Sequence, residues 1–186
     1  MKHRNTLRAE ATAVLVVDMQ EGFREVIADF EEVANQIARL VRAVDMLDVP
    51  IVWCEQYPKG LGRTAPSIQE ALGESRHPIE KKCFSGCGLP DVELALRGSG
   101  ARSVLVCGIE AHICVSQSVH DLLALGFQVH VVEDAVTSRR PLDREIGLRK
   151  MAGSGAVPCT VEMAVFEMLQ TADHPSFREI QKLFKT

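Results

Sequence analysis

Long apolar stretches are missing from this chain of 186 residues. No run approaches the ~20 residues that a membrane-spanning helix needs, so no membrane partner is expected. The opening MKHRNTLRAEA lacks the apolar core of a secretory leader, and the expectation is a cytoplasmic protein. Positive charge is not in excess: 21 Lys and Arg stand against 25 Asp and Glu, a formal net charge of −4. There is no basic footprint of the kind nucleic acid requires, so no nucleic-acid partner is expected. Internal repeats and low-complexity segments are absent. A disulfide framework is also missing, although there are six cysteines, at 54, 83, 87, 107, 114 and 159. Cys54 and Cys107 close apolar runs and Cys159 lies in another, a scatter that suits a reducing compartment. Cys83 and Cys87 are spaced C-x3-C, but zinc would need two further ligands at suitable spacing and none is found. No metal and no cofactor is expected.

What is present is an alternation of strand and helix patterns. Thr12 to Val17 is an apolar run without polar alternation, the mark of a strand covered on both faces. From Phe30 to Leu47, Val33, Ile37, Leu40, Val41, Val44 and Leu47 recur at helical spacing. Ile51 to Cys54 reads as a second strand, and 55–67, rich in Gly and Pro, as a loop long enough to be functional. A turn of helix over 68–72, a strand-like piece over 77–85 and a helix over 89–96 follow. Then come a strand over 103–107, a helix over 113–125 and a strand over 127–132 ending in Glu133-Asp134-Ala135. The remaining pieces are a helix over 142–152, a strand over 156–160, and helices over 161–169 and 175–184. Length and alternation predict one domain over 1–186, its first 11 residues a flexible arm. Its fold class is α/β, a three-layer α/β/α sandwich on a mostly parallel, Rossmann-like sheet of about six strands.

The stretch RSVLVCGIEAHICVSQSVHD, residues 102–121, reads as strand, tight turn and helix. Cys114 falls where the helix begins. Unpaired backbone N–H groups and the positive end of the helix dipole favour an anion there, so a lowered thiol pKa is expected. The same N–H groups suit an oxyanion. In a parallel sheet all strands deliver their C-terminal ends to one edge. Asp18 ends the first strand, the Lys81-Lys82 pair lies in the third segment, and Cys114 follows the fourth. Carboxylate as base, ammonium as its partner and thiolate as nucleophile make a coherent covalent hydrolysis.

The chain resembles the isochorismatase-like cysteine hydrolases, a family that includes nicotinamidases. The likeness runs from VLVVDMQ at 14–20 through KKCFS at 81–85 to GIEAHICV at 108–115 and VVEDA at 131–135. EQYPKGLG, GIEAHIC and DHPSFREIQKL are most similar to the isochorismatase domain-containing branch. The resemblance implies a catalytic triad of Asp18, Lys81 and Cys114. Lys81 is chosen over Lys82 because the family pattern sets the lysine three residues before an aromatic followed by Ser, here Phe84-Ser85. It also implies a cis peptide joining Ile109 and Glu110, which aims the Glu110 N–H at the oxyanion beside that of Cys114. Gln20, Phe23, Gln56 and His112 are implied as pocket neighbours. For His112, a second proton carrier, a turn residue and a subunit contact all stay open. The family forms dimers and larger assemblies, so a homo-oligomer is expected, with helix 175–184 as a contact element.

One departure bears on the substrate. Nicotinamidases of the family hold a metal through an Asp and His residues in the loop after the second strand, and here 55–67 contains no His. That argues against nicotinamide. Isochorismate is a dianion and calls for cations, for which Arg63 and Lys59 are available. The expected activity is hydrolysis of a small-molecule amide C–N bond through a thioester. The alternatives are isochorismatase-type vinyl-ether hydrolysis, or a binding protein that keeps the fold without turnover.

Overall fold

The computed structural model describes residues 3–185. In chain order the elements are β1 (Thr12–Val17), α1 (Phe30–Asp45), β2 (Ile51–Gln56), α2 (Pro58–Leu61), α3 (Pro66–Leu72), β3 (Ile79–Lys81) and α4 (Pro90–Gly98). They continue with β4 (Ser103–Ile109), α5 (Ser116–Ala124), β5 (Gln128–Thr137), α6 (Pro141–Gly153), β6 (Val157–Cys159), α7 (Val161–Leu169) and α8 (Phe177–Lys182). The six strands among the described residues form one sheet in the order β3-β2-β1-β4-β5-β6, and every pairing is parallel. Helices α1, α3 and α7 pack together on one face and α4, α5 and α6 cover the other, giving the three layers the alternation implies.

The apolar runs explain the centre of this sheet. Every residue of β1 and β4 is buried, because both strands lie inside the sheet with helices on both faces. On α1, Val33, Ile37, Leu40, Val41 and Val44 are buried on one stripe. Trp53, the chain's one tryptophan, is buried on β2, and its indole N–H has no hydrogen-bond partner among the described residues.

Three expectations change. Strand β5 does not stop at Val132 but runs to Thr137, and its register against β4 slips between Val106 and Gly108. The slip lets Glu133 and Asp134 bulge within the strand, and Asp134 Oδ1 accepts the N–H of Val161 at the start of α7, 2.9 Å away. The N-terminal arm is not loose from Leu7 onward. Leu7 is fully buried, its N–H donates to Glu167 Oε2 at 2.9 Å, and Ala9–Ala11 form a 3-10 turn. The terminal helix turns its apolar stripe inward. Ile180 is fully buried, and Phe177 and Phe184 stand edge-on to Phe166 of α7 at 6.3 and 5.8 Å.

Candidate active site

With the strand order 3-2-1-4-5-6, the direction of winding reverses between β1 and β4. Open α/β sheets bind ligands in the crevice at that reversal, outside the carboxyl ends of the strands. Asp18 follows β1 on one side of it and Cys114 follows β4 on the other, and β3 delivers Lys81 to the same edge. The structure thus brings Asp18, Lys81 and Cys114 together.

Asp18 is buried, with φ at 50°, a left-handed conformation that non-glycine residues seldom take. Lys81 Nζ sits 2.6 Å from Asp18 Oδ2, with both side chains at most 2% exposed. The ammonium also lies 2.9 Å from Gln56 Oε1, 3.1 Å from the Cys83 carbonyl and 2.9 Å from that of Phe84. Its three protons are therefore fully engaged and its place is fixed. Lys82 is exposed and takes no part. Asp18 Oδ1, by contrast, has no hydrogen-bond partner among the described residues.

Cys114 lies inside a single π-helical turn, Ala111–Val115, that feeds directly into α5. Such turns recur at functional sites. The peptide bond joining Ile109 and Glu110 is cis. Burial raises the Asp18 carboxyl above the ordinary carboxylate range, with the Lys81 charge and hydrogen bond opposing it. Burial, and then the neighbouring Asp18 charge, push the Cys114 thiol up to about 12, with Lys81 pulling the other way. This overturns the lowered thiol pKa expected from a helix start. Desolvation and an adjacent carboxylate outweigh what one turn of backbone dipoles supplies. At neutral pH the thiol holds its proton and needs a base to lose it.

A cavity of about 370 Å³ opens over these groups. Phe23 and Gln56 line it with Asp18, Glu110 and Cys114, as expected, and so do Tyr57, Phe84 and Arg139. Gln20 does not line it. Its amide nitrogen donates to the carbonyls of Gln56 at 3.1 Å and Gly62 at 2.7 Å, and its oxygen accepts the Gln56 N–H at 2.7 Å. It is a buried clamp that sets Gln56 against Lys81. His112 does not line it either. Its Nδ1 lies 3.1 Å from Ser138 Oγ and its Nε2 3.8 Å from Asp143 Oδ2 on α6. Arg63 is engaged by Glu55 at 2.9 Å and Glu80 at 3.0 Å, and neither it nor Lys59 lines the cavity.

Sequence reasoning missed Ser118. Its Oγ donates to the Cys114 carbonyl at 2.7 Å and accepts the Gly86 N–H at 2.7 Å, joining the Cys114 turn to the loop that wraps Lys81. A serine one turn into a helix that bonds back to residue i−4 is the available signal. Arg139 was missed because the strand before it was ended five residues early. All six cysteines are free thiols. Among the described residues, no helix is long and apolar enough to cross a membrane.

The fold and the edge at which these residues gather define an open, parallel α/β protein whose ligand chemistry sits at the sheet's reversal point. More particularly, the chain belongs to the isochorismatase domain family, whose profile matches residues 12–163, and so to the isochorismatase-like hydrolases. It is 41% identical to isochorismatase domain-containing protein 2A of Mus musculus over 177 residues, 95% of this chain and 84% of the mouse protein. It is 42% identical to human isochorismatase domain-containing protein 2 over 175 residues, 94% of this chain and 83% of that one. Among solved structures, the MAR1 ribonuclease of Caenorhabditis elegans superposes with a TM-score of 0.92 at 40% identity, covering 97% of this chain and 92% of that one.

Proposed function

We propose that the protein is a cysteine hydrolase that cleaves a C–N bond in a small-molecule amide, with Asp18, Lys81 and Cys114 as its triad. Asp18 Oδ1 takes the Cys114 proton as the sulfur attacks the carbonyl carbon. The backbone N–H groups of Glu110 and Cys114 receive the oxyanion. The intermediate collapses to a thioester, and Asp18 hands its proton to the departing amine. Water, deprotonated by Asp18, attacks the thioester. The acid leaves and Cys114 regains its proton. Lys81 holds Asp18 in place and offsets its charge throughout.

The observation that carries this reading is the asymmetry of Asp18. One carboxylate oxygen is tied to Lys81 at 2.6 Å, and the other is buried, with no hydrogen-bond partner among the described residues beyond the neighbouring thiols, one of which, Cys114, burial keeps protonated. A raised carboxyl pKa brings the base nearer to the thiol it must deprotonate. We also carry self-association over from the family resemblance.

The test is intact-protein mass spectrometry after incubation with a panel of small amides, carbamates and isochorismate, comparing wild type with Cys114→Ala. The expected result is an acyl adduct on the wild type alone. An adduct or product only with isochorismate would move the reading to vinyl-ether hydrolysis. Turnover kept by the alanine variant would end the covalent mechanism.

A second reading comes from the name of the worm relative: RNA cleavage. Its identity of 40% and TM-score of 0.92 favour it. Against it stand a net charge of −4 and a cavity of about 370 Å³, small for a nucleotide chain. Incubation with a labelled RNA oligonucleotide separates the two, and an intact oligonucleotide is expected.

A further inference from the structure

We propose that Cys83 and Cys87 are a redox-active dithiol, which a hydroperoxide closes to a disulfide and a thiol reductant reopens, and that the bridge acts on Lys81 through the loop that carries both sulfurs. Neither sulfur belongs to the proposed triad, so closure of the bridge is tested without a substrate.

Four of the six cysteines are buried, and Cys83 and Cys87 are the two that solvent reaches in part. Among the described residues, no cluster of His, Cys, Asp and Glu gathers around them that could hold a metal ion. The loop that joins them doubles back on itself. The Ser85 carbonyl accepts the Cys83 thiol at 3.4 Å and the Gly88 N–H at 3.2 Å, and Ser85 Oγ accepts the Cys87 N–H at 3.1 Å. The Cys83 side chain thereby comes to lie against the residue that follows Cys87. A Cβ on Gly88 would stand 2.7 Å from Cys83 Sγ and 3.0 Å from Cys83 Cβ, so the bare glycine leaves room for the sulfur. One Cα step of about 3.8 Å separates Gly88 from Cys87, a span that a disulfide covers.

In a reducing compartment, a disulfide that forms is transient and serves catalysis or redox sensing. Burial, and then Asp121 and Glu93, push the Cys87 thiol up to about 12. The sulfur that attacks first is therefore Cys83, which follows the exposed Lys82 in the chain. Cys83 thiolate attacks one oxygen of hydrogen peroxide, the O–O bond breaks, and hydroxide leaves. Cys83 is then a sulfenic acid. The Cys87 sulfur attacks the Cys83 sulfur, the S–O bond breaks, and the oxygen departs as water with the Cys87 proton. The two thiols give up two electrons and two protons, and the peroxide ends as two waters.

The same loop is the cradle of Lys81. Lys81 Nζ donates to the carbonyls of Cys83 at 3.1 Å and Phe84 at 2.9 Å. Beyond Phe84 the loop is pinned to α5. Ser85 Oγ donates to Asp121 Oδ2 at 2.6 Å, and the Gly86 N–H donates to Ser118 Oγ at 2.7 Å. Drawing the two sulfurs to a bond of about 2 Å therefore moves the Cys83 end, and its carbonyl with it. Lys81 loses an acceptor and is held less firmly. Its charge is what opposes the upward push on the Cys114 thiol, so the state of the bridge is felt at Cys114.

Both sulfurs fall on one tryptic peptide, residues 83–97, with no third cysteine. The protein is treated with hydrogen peroxide, unfolded, alkylated, digested and weighed. The expected peptide is two hydrogens lighter and unalkylated, and dithiothreitol before alkylation should restore two alkyl groups. Cys83→Ser and Cys87→Ser should each abolish the lighter peptide. A peptide that keeps both thiols, that carries sulfinic or sulfonic acid without a bridge, or that is found only joined to a second copy overturns the dithiol. The action on Lys81 is read as the rate of Cys114 alkylation by iodoacetamide at one fixed pH, before and after peroxide. Oxidation should slow it by about tenfold, the worth of one charge-assisted hydrogen bond, and reduction should restore it. In Cys87→Ser peroxide should leave the rate as it was, and Cys87→Ala takes its place should the serine variant not fold. A wild-type rate that stays or rises, or one that falls equally in Cys87→Ser, overturns the action on Lys81. If Cys114 reacts in neither state, acetylation of the buried Lys81 by acetic anhydride decides the same point. It should quicken on oxidation, and an unchanged rate overturns the link.

Discussion

At Cys114 the decisive property is that the thiol is protonated at rest. Its pKa is pushed up to about 12, so the fraction present as thiolate at neutral pH is minute. The sign is fixed: raising pH removes the proton and adds nucleophile, with no levelling until the pKa is reached. Alkylation of Cys114 by iodoacetamide should therefore climb by roughly tenfold per pH unit from pH 7 to 11. A small reference thiol such as glutathione should flatten above about 8.5–9. Rates followed by peptide mass spectrometry check this, and a plateau near pH 9 would contradict the buried, acid-flanked setting of the thiol. The pair Asp18–Lys81 makes a second prediction at this scale. Removing the ammonium in Lys81→Met strands a buried carboxylate and should cost about 3–5 kcal/mol in urea unfolding. The double variant Lys81→Met, Asp18→Leu should recover much of that loss, because two apolar side chains leave no charge uncompensated.

Among the elements, β4 and the turn after it are where the backbone is most constrained. Gly108 has φ at 116°, and a Cβ there would stand 2.0 Å from the Val17 carbonyl oxygen, just before Asp18. Gly108→Ala is expected to cost more than about 3 kcal/mol, visible as a melting temperature many degrees lower, because neither the dihedral nor the neighbouring strand yields cheaply. Ser118→Ala cuts the link between the Cys114 turn and the Lys81 loop. Unfolding should show a loss of about 1–2 kcal/mol, and under the proposed function turnover should fall further than stability does. Legibility in the sequence follows burial pattern here. Strands β1 and β4 are covered on both faces and read as plain apolar runs, which put Asp18 and Cys114 on one edge. Lys81 was separable from Lys82 only by family likeness, since a three-residue edge strand carries almost no periodicity of its own. The last five residues of β5 were illegible because Glu133 and Asp134 interrupt the apolar run, and nothing local announces that a bulge will absorb them. Arg139 went unseen for the same reason. Gln20 was expected in the pocket from the family likeness, which covers Asp18-Met19-Gln20. Whether a side chain there faces ligand or backbone depends on Gln56 and Gly62, which are distant in sequence.

For the whole molecule, both chain ends are drawn toward α7. Leu7 hydrogen-bonds to Glu167, and Phe177 and Phe184 close on Phe166. The apolar stripe of α8 thereby packs within the chain, Ile180 fully and Phe177, Leu183 and Phe184 in part. If the protein self-associates as its resemblance implies, light scattering should return a multiple of the 20.5 kDa chain mass. Charge substitutions on the outer face of α8, such as Lys182→Glu, should leave that mass unchanged. Disassembly by Lys182→Glu would restore the terminal helix as a contact.

Trp53 has an optical consequence. It is the molecule's single indole, it is buried, and it stands on β2 beside the edge of the sheet formed by β3. Its emission should be that of a chromophore shielded from water, and it shifts red only when that side of the sheet opens. Fluorescence melting curves of this protein are thus local thermometers. They follow the strands that carry Lys81, and loosening confined to the α7–α8 side passes unrecorded until the β2–β3 edge goes with it.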